Sequence, residues 1–136
     1  MTTTAKPGTA ETVQEFFGRF GAGDRPGMLA LFAPTVDFLV AGAETVPWTG
    51  HRTTPAEVDA FLRSALEDVT TKEFAVERIL VDGADAVVLG SFAHEVHRTG
   101  KLFSSVFALR ITVNDGLIER YHMFENSHGA ALAFAQ

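Results

Sequence analysis

Among the ionisable side chains in the second half of the sequence, four are candidates for proton transfer or substrate orientation: His94, His97, Tyr121 and Glu125. The run 117–126 reads as extended, and alternate residues of a strand point to opposite faces, so Tyr121 and Glu125 share one face. A carboxyl group among apolar neighbours has its pKa raised toward neutrality, which suits a general acid or base. The pattern predicts acid/base chemistry by Glu125 if its face is buried, and a plain rim carboxylate if it is not.

The two histidines lie three residues apart on a predicted strand, so at most one of them shares a face with Glu125. Imidazole exchanges protons near neutral pH, which makes either His94 or His97 a catalytic candidate. A solvated pair beside the following turn is the alternative. The run 94–97 differs from the helical His-Glu-x-x-His zinc signature, because a strand splits its ligands across two faces. The sequence therefore predicts no metal site, and nothing in it indicates a cofactor.

Composition narrows the class of protein. With 136 residues, 46% of them hydrophobic, the chain is long enough for one core and too short for two ordinary domains. We expect a single domain over residues 9–136, preceded by a flexible tail at residues 1–8. Twelve phenylalanines against one tryptophan and one tyrosine indicate a strongly apolar interior.

Several partners and sites are disfavoured. The net charge of −6 and the lack of a basic run argue against nucleic acid. No apolar run approaches the roughly 20 residues of a membrane-spanning helix, and the N-terminus lacks the apolar core of a secretory signal. The sequence has no cysteine, which excludes disulfides, zinc–thiolate sites and a cysteine nucleophile. We expect a cytoplasmic protein without a nucleic-acid or membrane partner.

The elements that must position these side chains divide into helices first and strands second. Apolar residues spaced i, i+3, i+4 and i+7 over 13–20 predict a first helix. Asp24 is a suitable cap for a short second helix, which Pro34 is expected to end. Thr54-Pro55-Ala56-Glu57 has the form of a capping box and predicts a third helix.

The rest of the chain reads mainly as strands. Residues 36–40 are typical of a strand and 41–52 of a loop. Later strands are separated by turns too short for a parallel crossover, so they must form antiparallel hairpins, and a short last helix is capped by Asn126 or Ser127. Because long strands curl, we predict an α+β fold: a curved antiparallel sheet (a cone), with N-terminal helices over its concave face and an apolar pocket between them. The later strands are predicted at 73–81, 86–97, 102–113 and 117–126.

Five phrases matter for their order and spacing: Phe-Gly-Ala-Gly-Asp at 20–24, Leu-Phe-Ala-Pro-Thr-Val-Asp-Phe at 31–38, Val-Pro-Trp-Thr-Gly-His-Arg at 46–52, Arg-Thr-Gly-Lys at 98–101, and Asp-Gly-Leu-Ile-Glu-Arg-Tyr-His-Met-Phe-Glu-Asn-Ser at 115–127. Together they resemble the SnoaL-like branch of the NTF2-like superfamily over nearly the whole chain from Thr9. The resemblance implies a cone-shaped fold, a pocket for apolar small molecules, and homodimers paired through the outer sheet face. The superfamily includes ketosteroid isomerases, polyketide cyclases, limonene-type epoxide hydrolases and members without assigned chemistry, so fold alone does not define function.

The established acids of that superfamily are replaced in this sequence. The resemblance aligns Phe16 with the tyrosine of ketosteroid isomerases, Val40 approximately with their general base, and Ala108 or Leu109 with their second acid. Met123 takes the place of the aspartate that activates water in limonene-type epoxide hydrolases. These apolar side chains cannot exchange protons. The usual chemistries by the usual residues are therefore disfavoured.

The resemblance nevertheless implies a site. Because Met123 aligns with a pocket residue, Tyr121, Met123 and Glu125 are expected to point into the pocket. Glu125 would move the proton, while Tyr121 and one of His94 or His97 orient or polarise the substrate. The Pro-Trp-x-Gly phrase places Trp48 near the pocket mouth, with core packing as the alternative. The expected substrate-binding residues are Trp48, Phe16, Val40, Met123, Phe107 and Leu109.

Three functions from different classes remain open. The first is a cofactor-free isomerase, cyclase or epoxide-hydrolase type enzyme, acting on an apolar, polycyclic or polyketide-like substrate. The second is a non-catalytic small-molecule-binding or accessory protein, which the loss of the established acids favours. The third is a dimeric protein-interaction module, which an acidic chain without an obvious exposed aromatic patch supports least.

Overall fold

The computed structural model describes residues 7–136, so residues 1–6 of the expected tail lie outside the described residues. Gly8, also assigned to that tail, is the N-cap of the first helix. In the described part, three helices and two strands precede a meander of four strands, and a fourth helix follows it, which confirms the α+β fold class. The elements are α1 (Thr9–Gly21), α2 (Arg25–Leu29), β1 (Phe32–Val40), β2 (Gly50–Arg52), α3 (Pro55–Glu67), β3 (Val69–Asp82), β4 (Asp85–Val96), β5 (Leu102–Asn114), β6 (Leu117–Phe124) and α4 (Ser127–Phe134).

The strands form one open sheet in the order β2-β1-β6-β5-β4-β3. Strands β3 to β6 are a meander of antiparallel hairpins, as predicted, and β2 pairs antiparallel with β1. β1 instead runs parallel to β6, with Phe38 beside Tyr121 and Val40 beside Met123. The sheet is therefore mixed, which the long connection through α3 and the meander allows. The overall result is the expected α+β cone.

Two of the predicted helices, α1 and α3, form at the expected positions and cover the sheet. At the start of α3, the Thr54 hydroxyl accepts the Glu57 backbone N–H, and the Glu57 carboxylate accepts the Thr54 backbone N–H. This reciprocal capping box satisfies donors that a helix N-terminus leaves unpaired. α1 buries Val13 and Phe16, the inner edge of its apolar stripe. Both helices thereby turn their apolar sides toward the concave face.

The segment between the helices differs from the prediction in two places. α2 ends at Leu29 and β1 begins at Phe32, so Pro34 lies inside a strand and does not end a helix. Proline has no N–H to donate to a ladder, and the pairing of β1 with β6 is interrupted between Phe32 and Asp37. The end of the predicted loop 41–52 also becomes extended, as edge strand β2.

The core fills the space between the concave face and the helices. Gly90 on β4 faces this space, where a Cβ atom would lie 2.3 Å from the Ala75 carbonyl oxygen and 2.6 Å from the Phe107 ring. Glycine at this position therefore lets the aromatic ring lie directly against the strand. The inward-facing residues of β5 are Phe103, Phe107, Leu109, Ile111 and Val113, all buried.

The outer face of the sheet carries a cluster of ionisable side chains. Asp37 Oδ1 lies 3.0 Å from His51 Nε2 and 3.1 Å from His122 Nε2, and Asp37 Oδ2 lies 3.5 Å from Arg120 Nε. His122, the largest influence, and His51 lower the pKa of Asp37, while burial acts in the opposite direction. This cluster lies across the sheet from the core and joins three neighbouring strands.

Candidate functional site

A cavity lies between the concave face of the sheet and the helices. The volume of the cavity that is accessible to water is about 70 Å³. This is several times the roughly 10–15 Å³ that one water molecule needs on the same measure. Side chains from α1, α2, α3 and four of the strands form its wall, together with the loop before β2. The lining residues are Phe16, Phe17, Phe20, Met28, Val40, Trp48, Phe61, Leu62, Ala65, Val69, Phe74, Phe92, His94, Tyr121, Met123 and Glu125.

Tyr121, on β6, is 4% exposed and lines this cavity. Its ring stacks on Phe38, with centroids 4.3 Å apart and planes 4° from parallel, and Phe16 and Phe61 contact it edge-on. Burial and the charge of Glu125 raise the pKa of Tyr121, so the phenol stays protonated around neutral pH. No described residue hydrogen-bonds the hydroxyl. The O–H donor is therefore free for a ligand or a water in the cavity.

Glu125 provides the carboxyl group of the cavity. It follows the last residue of β6 and precedes Asn126, the residue that caps α4. Burial raises the pKa of Glu125, and a hydrogen bond from the Trp48 indole opposes this effect. The indole Nε1–H donates to Glu125 Oε2 over 2.8 Å. The carboxyl group is thus fixed in orientation, with its affinity for a proton increased by its surroundings.

His94 lies on the β4 side of the same cavity. Its ring stacks on Phe92 with centroids 4.3 Å apart, and its Nδ1 lies 3.1 Å from the Thr71 hydroxyl oxygen. Burial lowers the pKa of His94 to about 4. At neutral pH the imidazole is consequently uncharged, so it can donate or accept a hydrogen bond but contributes no positive charge.

Trp48 closes one side of the cavity from the loop between β1 and β2. The indole stacks on Phe103 at a centroid distance of 6.2 Å and meets Phe134 of α4 edge-on at 5.1 Å. It is only 5% exposed, and its N–H is used by Glu125. Trp48 therefore combines the two roles open in the sequence, since it packs into the core and lines the cavity.

The structure brings most of the predicted site residues together around the cavity. Besides Tyr121, Glu125, His94 and Trp48, the lining includes three of the other five expected substrate-binding residues, Phe16, Val40 and Met123.

Three predicted site residues lie elsewhere. His97 is exposed in the turn that follows β4, where its Nε2 lies 2.7 Å from the Thr70 hydroxyl oxygen, so it does not reach the cavity. Leu109 is fully buried core, and Phe107 packs between Phe74 and Phe92 without lining the cavity. Both side chains point to the concave face as expected, but at their positions this face is covered by packed core side chains and not by the cavity.

The aromatic lining residues that were not among the predicted ligand contacts are Phe17, Phe20, Phe61, Phe74 and Phe92, of which Phe61 and Phe92 are the most buried. The helical spacing of α3 and the alternation of β4 indicate that both are buried, but periodicity does not distinguish a cavity wall from solid core. Thr71, which contacts His94, is separated from it by a hairpin and carries no sequence signal of its own.

Two further properties concern the described residues 7–136. No group of three or more His, Asp or Glu side chains among them is arranged to hold a metal ion. None of the helices in this part of the chain is long and apolar enough to cross a membrane.

The fold and the cavity define a class, the α+β cone with an apolar cavity between its sheet and its helices. An NTF2-like protein from Burkholderia xenovorans is similar in structure, with 23% identity, a TM-score of 0.82, and coverage of 98% of this chain and 100% of that one. A proposed isomerase from Rhodopseudomonas palustris is 16% identical, with a TM-score of 0.80 and coverage of 98% and 97%. A proposed SnoaL-like polyketide cyclase from a Jannaschia species is 15% identical, with a TM-score of 0.76 and coverage of 98% and 97%. At these identities the likeness establishes the shared fold.

The sequence itself defines the family. The profile of the SnoaL-like domain matches residues 13–121, which is most of the chain. The chain therefore belongs to the SnoaL-like family. No curated protein matches the sequence significantly.

Proposed function

We propose that this protein is a cofactor-free enzyme that moves a proton on a neutral, largely apolar small molecule held in the cavity. The observation that carries the proposal is that a carboxyl group with a raised pKa and a buried phenol without a protein partner line the same cavity. Perturbed acids and bases facing a shared apolar site are typical of catalytic centres. Two similar structures bear names of proposed isomerase and cyclase activity, which is consistent with this class.

Each polar side chain has a separate role in the proposed reaction. Tyr121 donates its O–H to an oxygen of the substrate and stabilises negative charge that develops there. Glu125, when ionised, takes a proton from a neighbouring carbon or from a water, and returns it at the end of the cycle. His94 is neutral and orients the substrate by a hydrogen bond. Isomerisation, cyclisation and epoxide opening all meet these requirements.

The charge of the cavity wall argues for an uncharged ligand. Among the described residues that line it, none is Lys or Arg, His94 is neutral above about pH 4, and Tyr121 stays protonated. An anionic ligand would lose its hydration without gaining an opposite charge, which is unfavourable. The wall is instead built largely of aromatic and aliphatic side chains, which suit a flat apolar ligand with one or two oxygen atoms.

A non-catalytic ligand-binding protein is the second candidate. It is favoured by the apolar residues at the four positions that the resemblance assigns to the tyrosine and the acids of the family, namely Phe16, Val40, Ala108 or Leu109, and Met123. The two candidates make the same demand on the cavity and differ only in what Glu125 does. A test must therefore measure binding and proton transfer separately.

The test uses Glu125→Gln, which keeps the shape of the side chain and an acceptor for the Trp48 N–H while removing the ionisable group. Wild-type protein is incubated in deuterated water with a panel of neutral cyclic ketones, enones and epoxides, and deuterium uptake and hydrolysis are followed by mass spectrometry. We expect turnover in the wild type that disappears in Glu125→Gln, with binding of the same compound retained by calorimetry. The control is Glu11→Gln, which changes an exposed carboxylate on α1.

The contrary result is equally informative. Ligand binding without turnover in the wild type supports the non-catalytic candidate. Turnover that survives in Glu125→Gln excludes Glu125 as the proton carrier. The expected homodimer and the cytoplasmic location stay predictions, and sedimentation of the purified protein tests the first of them.

A further inference from the structure

The guanidinium group of Arg52 lies behind the cavity wall and takes no part in the proposed reaction. Arg52 is the last residue of β2 and pairs with Phe38 on β1. Its side chain turns back toward the loop that precedes its own strand, over the rings of Phe38 and Phe61 at 5.8 and 5.4 Å from their centroids. Both rings contact Tyr121. Arg52 therefore occupies the layer directly outside the cavity.

The polar contacts of Arg52 all go to one short backbone segment. Its NH1 donates to the Trp48 carbonyl oxygen over 2.9 Å, and its NH2 donates to the carbonyl oxygens of Thr49 and Pro47 over 3.2 and 3.4 Å. No described carboxylate lies within ion-pair distance of the guanidinium group. Burial lowers the pKa of Arg52, and the more distant charge of Glu57 raises it by a smaller amount. A planar group with five N–H donors matches several carbonyls at once, which an ammonium group does not.

The segment held in this way carries the indole that orients Glu125. Within it, Thr49 also closes the loop, because its hydroxyl lies 2.7 Å from the Ala43 carbonyl oxygen. The position of the Trp48 ring then depends on the backbone at one end and on Phe103 and Phe134 at the other. The 2.8 Å hydrogen bond from the indole to Glu125 requires both the backbone position and this ring packing. A displaced backbone would lengthen that bond first, since the carboxylate itself follows a different strand.

We propose that Arg52 is a positioning residue for Glu125, which it controls through the backbone of Trp48. For its catalytic consequence the inference rests on the proposed function, but the linkage itself can be measured without a substrate. The other titratable groups that line the cavity are Tyr121 on β6 and His94 on β4, and neither contacts Arg52 in the described structure. An Arg52 variant should therefore change the ionisation of Glu125 while leaving the ligand-contacting wall in place.

The experiment uses the single tryptophan of the sequence as its reporter. In ¹⁵N-labelled protein the indole Nε1–H gives one resonance, whose shift is followed against pH in the wild type and in Glu125→Gln, Arg52→Lys and Arg63→Lys. Arg63 is exposed on α3 and serves as the matched control. We expect a titration step in the wild type and in Arg63→Lys, and its loss in Glu125→Gln, which separates Glu125 from His94.

In Arg52→Lys the step is expected at higher pH, because a weakened indole bond no longer favours the charged carboxylate. Exchange of the indole proton with solvent should be roughly threefold to tenfold faster, the equivalent of losing most of one hydrogen bond. A titration midpoint and an exchange rate equal to those of Arg63→Lys would overturn the proposal. If Arg52→Lys does not fold, Arg52→Gln, which keeps two N–H donors, takes its place.

Failure of the proposed enzyme function would look different. If no compound is turned over but the titration midpoint of Glu125 still moves in Arg52→Lys, Arg52 positions Glu125 and only the proposed enzyme function is wrong. If a substrate is found, Arg52→Lys should lower kcat more than it changes KM, because Arg52 does not line the cavity.

Discussion

Replacing Tyr121 by phenylalanine should make the protein more stable and less active. The substitution removes one oxygen and leaves the ring that stacks on Phe38 at 4.3 Å. A buried polar group without a partner costs about 1–3 kcal/mol, and a hydroxyl that borders a cavity large enough for water lies at the lower end, about 1 kcal/mol. For a chain of 136 residues, this corresponds to a rise of roughly 3–5 °C in Tm.

Activity should move in the opposite direction. Removal of one donor from a group that stabilises developing negative charge typically lowers kcat by about 10²- to 10³-fold. Stability is measured by calorimetry and by guanidinium denaturation, and turnover by the deuterium-uptake assay. Opposite signs for the two effects are the expected signature of a donor reserved for a ligand.

Trp48→Phe provides the comparison, because it also removes one donor, but one that has a partner in Glu125. That variant should lose stability. If Tyr121→Phe is destabilised to a similar extent, the hydroxyl has a structural partner, and the argument that it is free for substrate is wrong.

Three further predictions concern other parts of the molecule. Gly90→Ala should destabilise the fold by about 1–3 kcal/mol in chemical denaturation, because its Cβ would lie 2.3 Å from the Ala75 carbonyl oxygen; a neutral result would mean that β3 and β4 separate easily. The raised pKa of Glu125 means that its contribution to stability is fully present below the unfolded pKa and is lost as pH rises through the folded one. Glu125→Gln should therefore be more stable than the wild type at pH 8 and equal to it near pH 4. A difference in unfolding free energy that does not change with pH would contradict the raised pKa of Glu125. The lowered pKa of Asp37 has the opposite sign, so Asp37→Asn should weaken the fold at neutral pH, and the deficit should disappear as acid protonates Asp37 in the wild type; acid unfolding followed by circular dichroism measures it.

Much of the fold could be predicted because local signals agree with one another. The capping box at Thr54 and the i, i+3, i+4 spacing around Phe16 both specify helices, and the structure contains them. Short turns forced the meander into antiparallel pairs. The parallel pairing of β1 with β6 could not be predicted in this way, because it depends on residues far apart in the chain. Pro34 misled for a related reason, since its effect depends on whether the neighbouring strand needs its N–H.

The site was harder to predict than the fold. Alternation placed Tyr121 and Glu125 on one face, and the resemblance indicated that this face lines a pocket. It did not reveal that the loop carrying Trp48 returns to Glu125, a contact between positions 77 residues apart. It also did not distinguish Leu109 from a cavity residue, because a strand that faces inward can meet either solid core or open space.

The parallel pairing of β1 with β6 also bears on how the chain folds. The hairpins of the meander join residues close in sequence, and such units close in roughly 1–10 μs. β1 can join β6 only after a much longer loop has closed, which is slow for entropic reasons. We expect the stack of Phe38 on Tyr121 to form late, so that a transient intermediate exposes the aromatic wall of the cavity. Refolding at high protein concentration should therefore lose yield to aggregation at this stage.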